Sequence, residues 1–206
     1  LTKYGPPGAS NNGYNENLTL SLQGKCAMRM DATVSAGGLT DPAQSEFADQ
    51  VGFALAPDMG LGKRANWLWA WSLAIPASSD AKEASKAFIN WATNKDYLAL
   101  VASKEGWANV PPGTRTSLYA NPDYQSVPFA KMTLDSINSA DPTAPTVKPV
   151  PYVGVQFVAI PEFQGLGTSV GEIFSAALAG QKTADEALAE AQTSVADEMK
   201  AAGYIQ

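Results

Sequence analysis
The sequence predicts a fold that mixes helices and strands, on three observations. From Phe47 onward, short apolar runs of strand length alternate with amphipathic helical patterns. Trp67, Trp69 and Trp71 stand at every second position in ANWLWAWSLAIP, the spacing that puts three indoles on one face of an extended strand. The last third of the chain carries two helical apolar stripes with their own start and stop residues.

The 206 residues suffice for one large domain or two modest ones, and 45% hydrophobic with 17% charged residues can supply a core. A net charge of −6 argues against a phosphate-backbone partner, so nucleic acid is set aside as a ligand. No apolar run approaches the roughly 18–20 residues that cross a bilayer as a helix. The opening LTKYGPPGAS has neither an initiating Met nor the regions of a signal peptide; it reads as a chain processed from a leader or as the later part of a longer one. The sequence contains no His, which removes Ser-His-Asp hydrolysis and His-ligated zinc or iron. Its one cysteine, Cys26 in GKCAMRMD, has no internal disulfide partner and reads as a small buried hydrophobe. No metal and no cofactor are expected.

In chain order, YGPPGASNNGYNEN is a turn-rich loop before an apolar stretch at residues 18–22, punctuated by Gly24. Residues 26–30 read as a short strand, with Asp31 and Thr33 at its end and a helix through VSAGGL. VGFALAP is a second strand stopped by Pro57, and DMGLGKRAN is a glycine-bearing loop that delivers the chain to the tryptophan strand, residues 67–75. Asp80 is placed to cap a helix whose stripe is Ala84, Ala87, Phe88 and Trp91, so Trp91 reads as core. A further helix follows the cap Asn94, with Tyr97, Leu98 and Val101 inward and Gly106 at its end. GWANVPPGTRTSLYANPDY reads as a turn-rich excursion, and a helix starts near Pro128 and runs toward Ile137. DPTAPTVKPVP is an extended connector. Pro161 opens a helix with Phe163, Leu166, Val170, Ile173, Phe174 and Leu178 on its apolar face, ended by Gly180. Thr183 and Glu186 form a capping box for the last helix, which buries Ala187, Leu188, Ala191, Val195 and Met199.

The chemistry on offer suits polyhydroxylated ligands. Sugars and polyols bring hydroxyls that need donors and acceptors, plus C–H patches that lie against an aromatic ring. Asp31, Arg64, Asn66, Tyr152 and Gln156 supply polar groups near element ends, and the tryptophans supply the platform. Two bland alternatives stand beside this reading: indoles packed under neighbouring helices, and Arg64 with Asn66 in a solvent-facing turn. The GLGKRAN loop lacks the glycine spacing and Lys-Ser/Thr ending of a phosphate loop. Glycoside hydrolysis needs two carboxylates flanking one bond, and Asp31 has no convincing second.

Taken together, GKCAMRMDATV, ANWLWAWSLAIPASSDAKEASKAFINWAT, EGWANVPPGTRTSLYANPDY, KPVPYVGVQFVAIPEFQGLGT and ALAGQKTADEALAEAQ resemble extracellular solute-binding proteins of sugar and polyol ABC transporters, most of all the sorbitol/mannitol-binding branch. The resemblance covers nearly the whole chain but only about the second half of such a protein. It implies a type II periplasmic-binding-protein-like, two-lobed α/β fold of which this chain holds the C-terminal half. Residues 1–66 would begin the C-terminal lobe, 67–130 would form the crossing strand and helices packing on the N-terminal lobe, and 131–206 would return to complete the C-terminal lobe. A chain lacking the other strands should expose apolar helix faces near Phe88 and Trp91.

By the same resemblance, Asp31 and Thr33 face the cleft, Trp67 and Trp69 line it on the crossing strand, and Phe163 with Gln164 form a further contact region. Ala65-Asn66 stand where the superfamily commonly has a Gly-Gly pair. The implied function is capture of a sugar alcohol or small sugar on the periplasmic or extracellular face of the cytoplasmic membrane, without catalysis. Its implied partners are the permease subunits of an ABC importer and the missing N-terminal half. The alternative is a carbohydrate-active enzyme or its binding module, with Asp31 as a catalytic carboxylate.

Overall fold
The computed structural model describes residues 3–64, 67–113, 115–150, 152–154 and 157–205. It begins with a 3-10 turn, Ala9–Asn11, and α1, Tyr14–Leu22, where the sequence suggested only an apolar stretch. Glu16 stabilises the start of α1 by accepting from the Gly13 amide at 2.9 Å. Gly24 turns the chain after it with φ 66°, and the Phe47 ring occupies the place a Cβ would take, so only glycine fits. A 3-10 turn, Thr33–Ser35, leads into α2, Ala36–Leu39, through the VSAGGL helix signal.

Next come α3, Lys82–Ala92, and α4, Lys95–Glu105. Asn94 caps α4 as expected, accepting from the Tyr97 amide at 2.8 Å, and Gly106 stops it with φ 85°. Asp80 does not cap α3: the helix starts behind Ala81, so Asp80 stands one residue too early. Trp91 is not core. Helix α3 packs mainly on α4, and Phe88 and Trp91 share an outward face, their rings 5.9 Å apart with Tyr97 5.0 Å beyond. The exposure expected of this face is therefore present.

The region read as a turn-rich excursion holds the densest packing instead. A 3-10 turn, Trp107–Asn109, is followed by α5, Thr116–Tyr119, α6, Pro122–Gln125, and α7, Ala130–Ser139. Asn121 accepts from the amides of Asp123 and Tyr124, and Pro122 occupies the first helical position, so short helices form where a loop was expected. Val110, Leu118, Tyr119, Tyr124, Val127, Phe129 and Ala130 are buried together with Ala36 of α2. A Cβ on Gly37 would lie 2.7 Å from the Ala108 carbonyl oxygen, which is why α2 approaches the 3-10 turn so closely.

The chain ends in an antiparallel helical pair, α8, Phe163–Leu178, and α9, Ala184–Ala201. Gly180 (φ 77°) closes α8, with its amide and that of Gln181 bonded to the Ala177 and Ala176 carbonyls. The capping box at α9 is present: Glu186 N–H donates to Thr183 Oγ1 at 3.2 Å and Thr183 N–H to Glu186 Oε2 at 2.8 Å. Ala187 and Ala191 are buried at the contact, small residues that let two helices approach. Leu188 and Phe174, expected inside, are exposed because they lie off this narrow alanine seam.

The segments expected as strands, 26–30, 51–56 and 67–75, run as non-helical chain with no sheet ladder among the described residues. A strand is held by pairing along its length, and no ladder runs along these segments among the described residues. At Trp67 the departure is sharper. The Trp69 amide donates to the Trp67 carbonyl at 2.9 Å, a three-residue turn rather than extended backbone.

Tyr124 is wholly buried at the centre of the core, with no partner for its hydroxyl among the described residues. Burial, helped by the neighbouring Tyr119, pushes its pKa from 10.0 up to about 12. The folded state thus holds this proton more tightly than the unfolded one, so the stability it confers is complete below pH 10 and is lost as pH rises toward 12. Alkaline unfolding followed by far-UV circular dichroism is expected to move to higher pH in Tyr124→Phe; an unchanged midpoint would assign the alkaline loss to another group.

Candidate functional site
The tryptophan segment folds its rings into a continuous aromatic chain. Trp67 and Trp69 meet edge to face with centroids 4.7 Å apart at 88°, and Trp69 and Trp71 lie 5.3 Å apart at 54°. In a straight strand, positions two apart are about 6.6 Å apart along the backbone, so the turn between Trp67 and Trp69 brings the indoles closer than the predicted wall would. Trp69 also touches Phe157 at 6.1 Å, and Phe157 touches Phe163, the first residue of α8, at 5.4 Å. Five rings from three segments are thereby joined. Trp67 keeps 61% of its surface exposed, Trp69 39% and Trp71 87%, so the chain of rings presents open faces.

Two further contacts set the entry of α8. Tyr204, beyond α9, donates its hydroxyl to Glu162 Oε2 at 3.2 Å just before Phe163, and the turn Ala9–Asn11 packs along α8. Gln164 is exposed in the first turn of that helix. Of the residues expected at the site, the structure brings Trp67, Trp69 and Phe163 together through Phe157.

Asp31 belongs to a separate polar group. Its Oδ2 accepts from Arg29 Nη2 at 2.7 Å and its Oδ1 from the Ala32 amide at 2.7 Å, so the carboxylate is tied within its own loop. Thr33 is half-buried at the start of the following 3-10 turn. The Arg29 guanidinium lies 5.1 Å from the centroid of the Tyr14 ring, which opens α1. Arg64 is half-buried, and its Nε is enclosed without an acceptor among the described residues. Tyr152 is half-buried. Asn66 and Gln156 lie outside the described residues. A depression of about 420 Å³ opens between Leu61, Lys63 and residues 143–150, but none of the aromatic rings lines it.

Sequence reasoning missed Arg29 and Phe157. Arg29 is a lone cation between Met28 and Met30, two residues before Asp31, and that alternation was the available signal. Phe157 has no such mark; its place between Trp69 and Phe163 is purely tertiary. Among the described residues no group of three acidic or Cys side chains could hold a metal ion, and no helix is long and apolar enough to cross a membrane.

Comparison with known proteins gives a consistent picture. The family described as bacterial extracellular solute-binding protein matches residues 1–99. A mannitol-binding protein of Pseudomonas aeruginosa is 58% identical over 204 residues, which are 99% of this chain and 47% of that protein. The crystal structure of an ABC transporter solute-binding protein from Agrobacterium vitis S4, with bound D-mannitol, superposes with TM-score 0.92 at 72% identity, covering 97% of this chain and 48% of that one. The chain thus spans about half the length of the relatives it matches, and the expected two-lobed α/β binding-protein fold, half of it present, stands.

Trp69 touches Trp67, Trp71 and Phe157, whereas Trp71 is almost fully exposed at the end of the row. Trp69→Ala is therefore expected to lower unfolding free energy by about 1–2 kcal/mol more than Trp71→Ala. Urea denaturation checks this, and equal losses would show that the ring contacts carry no stability.

Proposed function
Because the chain is related over nearly its whole length to bacterial extracellular solute-binding proteins and fits their C-terminal half, we propose that the whole protein captures a sugar alcohol, mannitol foremost, between two lobes and delivers it to the permease of an ABC importer. The observation that carries this reading is the row of partly exposed rings from Trp71 through Trp69 and Phe157 to Phe163. A hexitol offers C–H surface to such a row and a hydroxyl on every carbon to the polar groups around it.

Magnitudes assign the labour. An indole that loses about 50 Å² of apolar area to a ligand gains on the order of 1 kcal/mol at 25 cal/mol per Å². Stacking on two indoles therefore falls well short of the roughly 8 kcal/mol of a micromolar complex. Hydrogen bonds must supply the remainder, and Thr33, Arg64, Asn66, Tyr152, Gln156 and Gln164 are the groups we assign to them, with Asp31 acting together with its arginine. Ligand that touches both lobes only when they approach favours the closed population, and the tryptophan segment, crossing between lobes, would serve as both wall and hinge.

Capture of this kind belongs outside the cytoplasmic membrane, in the periplasm or at its outer face. No catalytic step is assigned: the named relatives are binding proteins, and Asp31 is held by Arg29 and a backbone amide rather than facing a second carboxylate across a bond.

Titration of the full-length protein with mannitol is expected to change indole emission to saturation. Trp67→Ala and Trp69→Ala should each weaken binding by about tenfold, and Trp91→Phe should leave it unaltered. Absence of any response to mannitol, sorbitol or hexoses would overturn the proposal, as would turnover of a glycoside.

A further inference from the structure
Among the described residues nothing covers the apolar stripe of α3, formed by Ala84, Ala87, Phe88 and Trp91. The four recur at i, i+3, i+4 and i+7, the spacing that sets them along one side of a helix. All four are exposed, Phe88 by 58% and Trp91 by 45%. Glu83 and Lys86 stand off the stripe and pair with each other at 2.7 Å, so the helix keeps its charges away from its apolar side.

The rings on this side are already fixed in place. Phe88 and Trp91 lie 5.9 Å apart, and Trp91 meets the edge of Tyr97 on α4 at 5.0 Å and 68°. A ridge braced in this way has little ordering left to lose when something seats on it. It also needs a cover. An isolated helix of 11 residues is marginal in water, amphipathic helices draw most of their stability from the face they bury, and α3 holds no fully buried residue.

We infer that the stripe is the seat of the other half of the same polypeptide, docked within one molecule through an uncharged, apolar surface. Length is the first reason. The match to the relatives takes in 99% and 97% of this chain but only 47% and 48% of theirs, and it fits their C-terminal half. A half of comparable size therefore lies outside the match in each relative. Area is the second reason. Eleven helical residues span about 16 Å. A stripe of that length falls far short of the roughly 800 Å² per partner that holds separate molecules in a stable complex. A second copy seated on this stripe alone would be held weakly. A half joined through the chain faces no such threshold, because its effective concentration is set by the connection itself.

The full-length protein tests this in two ways, and neither depends on what it binds. Hydroxyl-radical footprinting is expected to label Trp91 about fivefold or more slowly in the folded than in the unfolded protein, with the protection unchanged on dilution. Full-length protein carrying p-benzoylphenylalanine in place of Phe88 is expected, on irradiation, to form adducts with residues outside 1–206 while remaining monomeric. Trp91 labelled as fast when folded as when unfolded would overturn the inference, and so would protection that fades on dilution, which is the mark of a second copy. A folded, substituted protein whose adducts fall only within residues 1–206, or only on a second copy, or that forms none, would overturn it as well. Where the substituted protein does not fold, the footprint of the unmodified protein decides by the same two criteria.

Discussion
Trp69 is the contact on which the site's architecture depends. Its ring meets Trp67, Trp71 and Phe157, and through Phe157 it reaches Phe163 at the start of α8. It links the tryptophan segment by ring contact to the helical pair at the chain's end. Trp67, Trp69 and Trp71 keep 61%, 39% and 87% of their surface exposed while in ring contact, so the cluster is both a joint and an exposed surface.

The buried core and the aromatic row occupy different parts of the molecule. The buried cluster sits on Val110, residues 118–130 and Ala36, with Phe53 edge-on to Phe129 at 5.5 Å. The aromatic row and the Arg29–Asp31 pair lie on segments with few buried residues and no sheet ladder among the described residues. Local stability follows buried contact, so the site segments belong to the less stable part of the fold. The exposed face of Phe88 and Trp91 is intelligible in a chain that spans about half the length of its relatives.

Local signals in the sequence were sufficient for the features whose physics is local. The capping box at Thr183 and Glu186, the Asn94 cap, the glycine stops at Gly106 and Gly180, and the alanines buried along α9 all follow from hydrogen-bond reach and helical period within a few residues. The combined segments were also enough to show the resemblance to solute-binding proteins, and they drew attention to Trp67, Trp69 and Phe163, which the structure joins through Phe157. Other features arose only in three dimensions. The core formed in the stretch that looked like loop, because several short helices pooled side chains too sparse to show periodicity. Trp91 stayed exposed since no element covers its face among the described residues, and Phe157 joined the row by folding back onto Trp69. Spacing along the chain determines which face a residue can present; what lies opposite that face is decided by contacts between distant segments, and one-dimensional period carries no term for them.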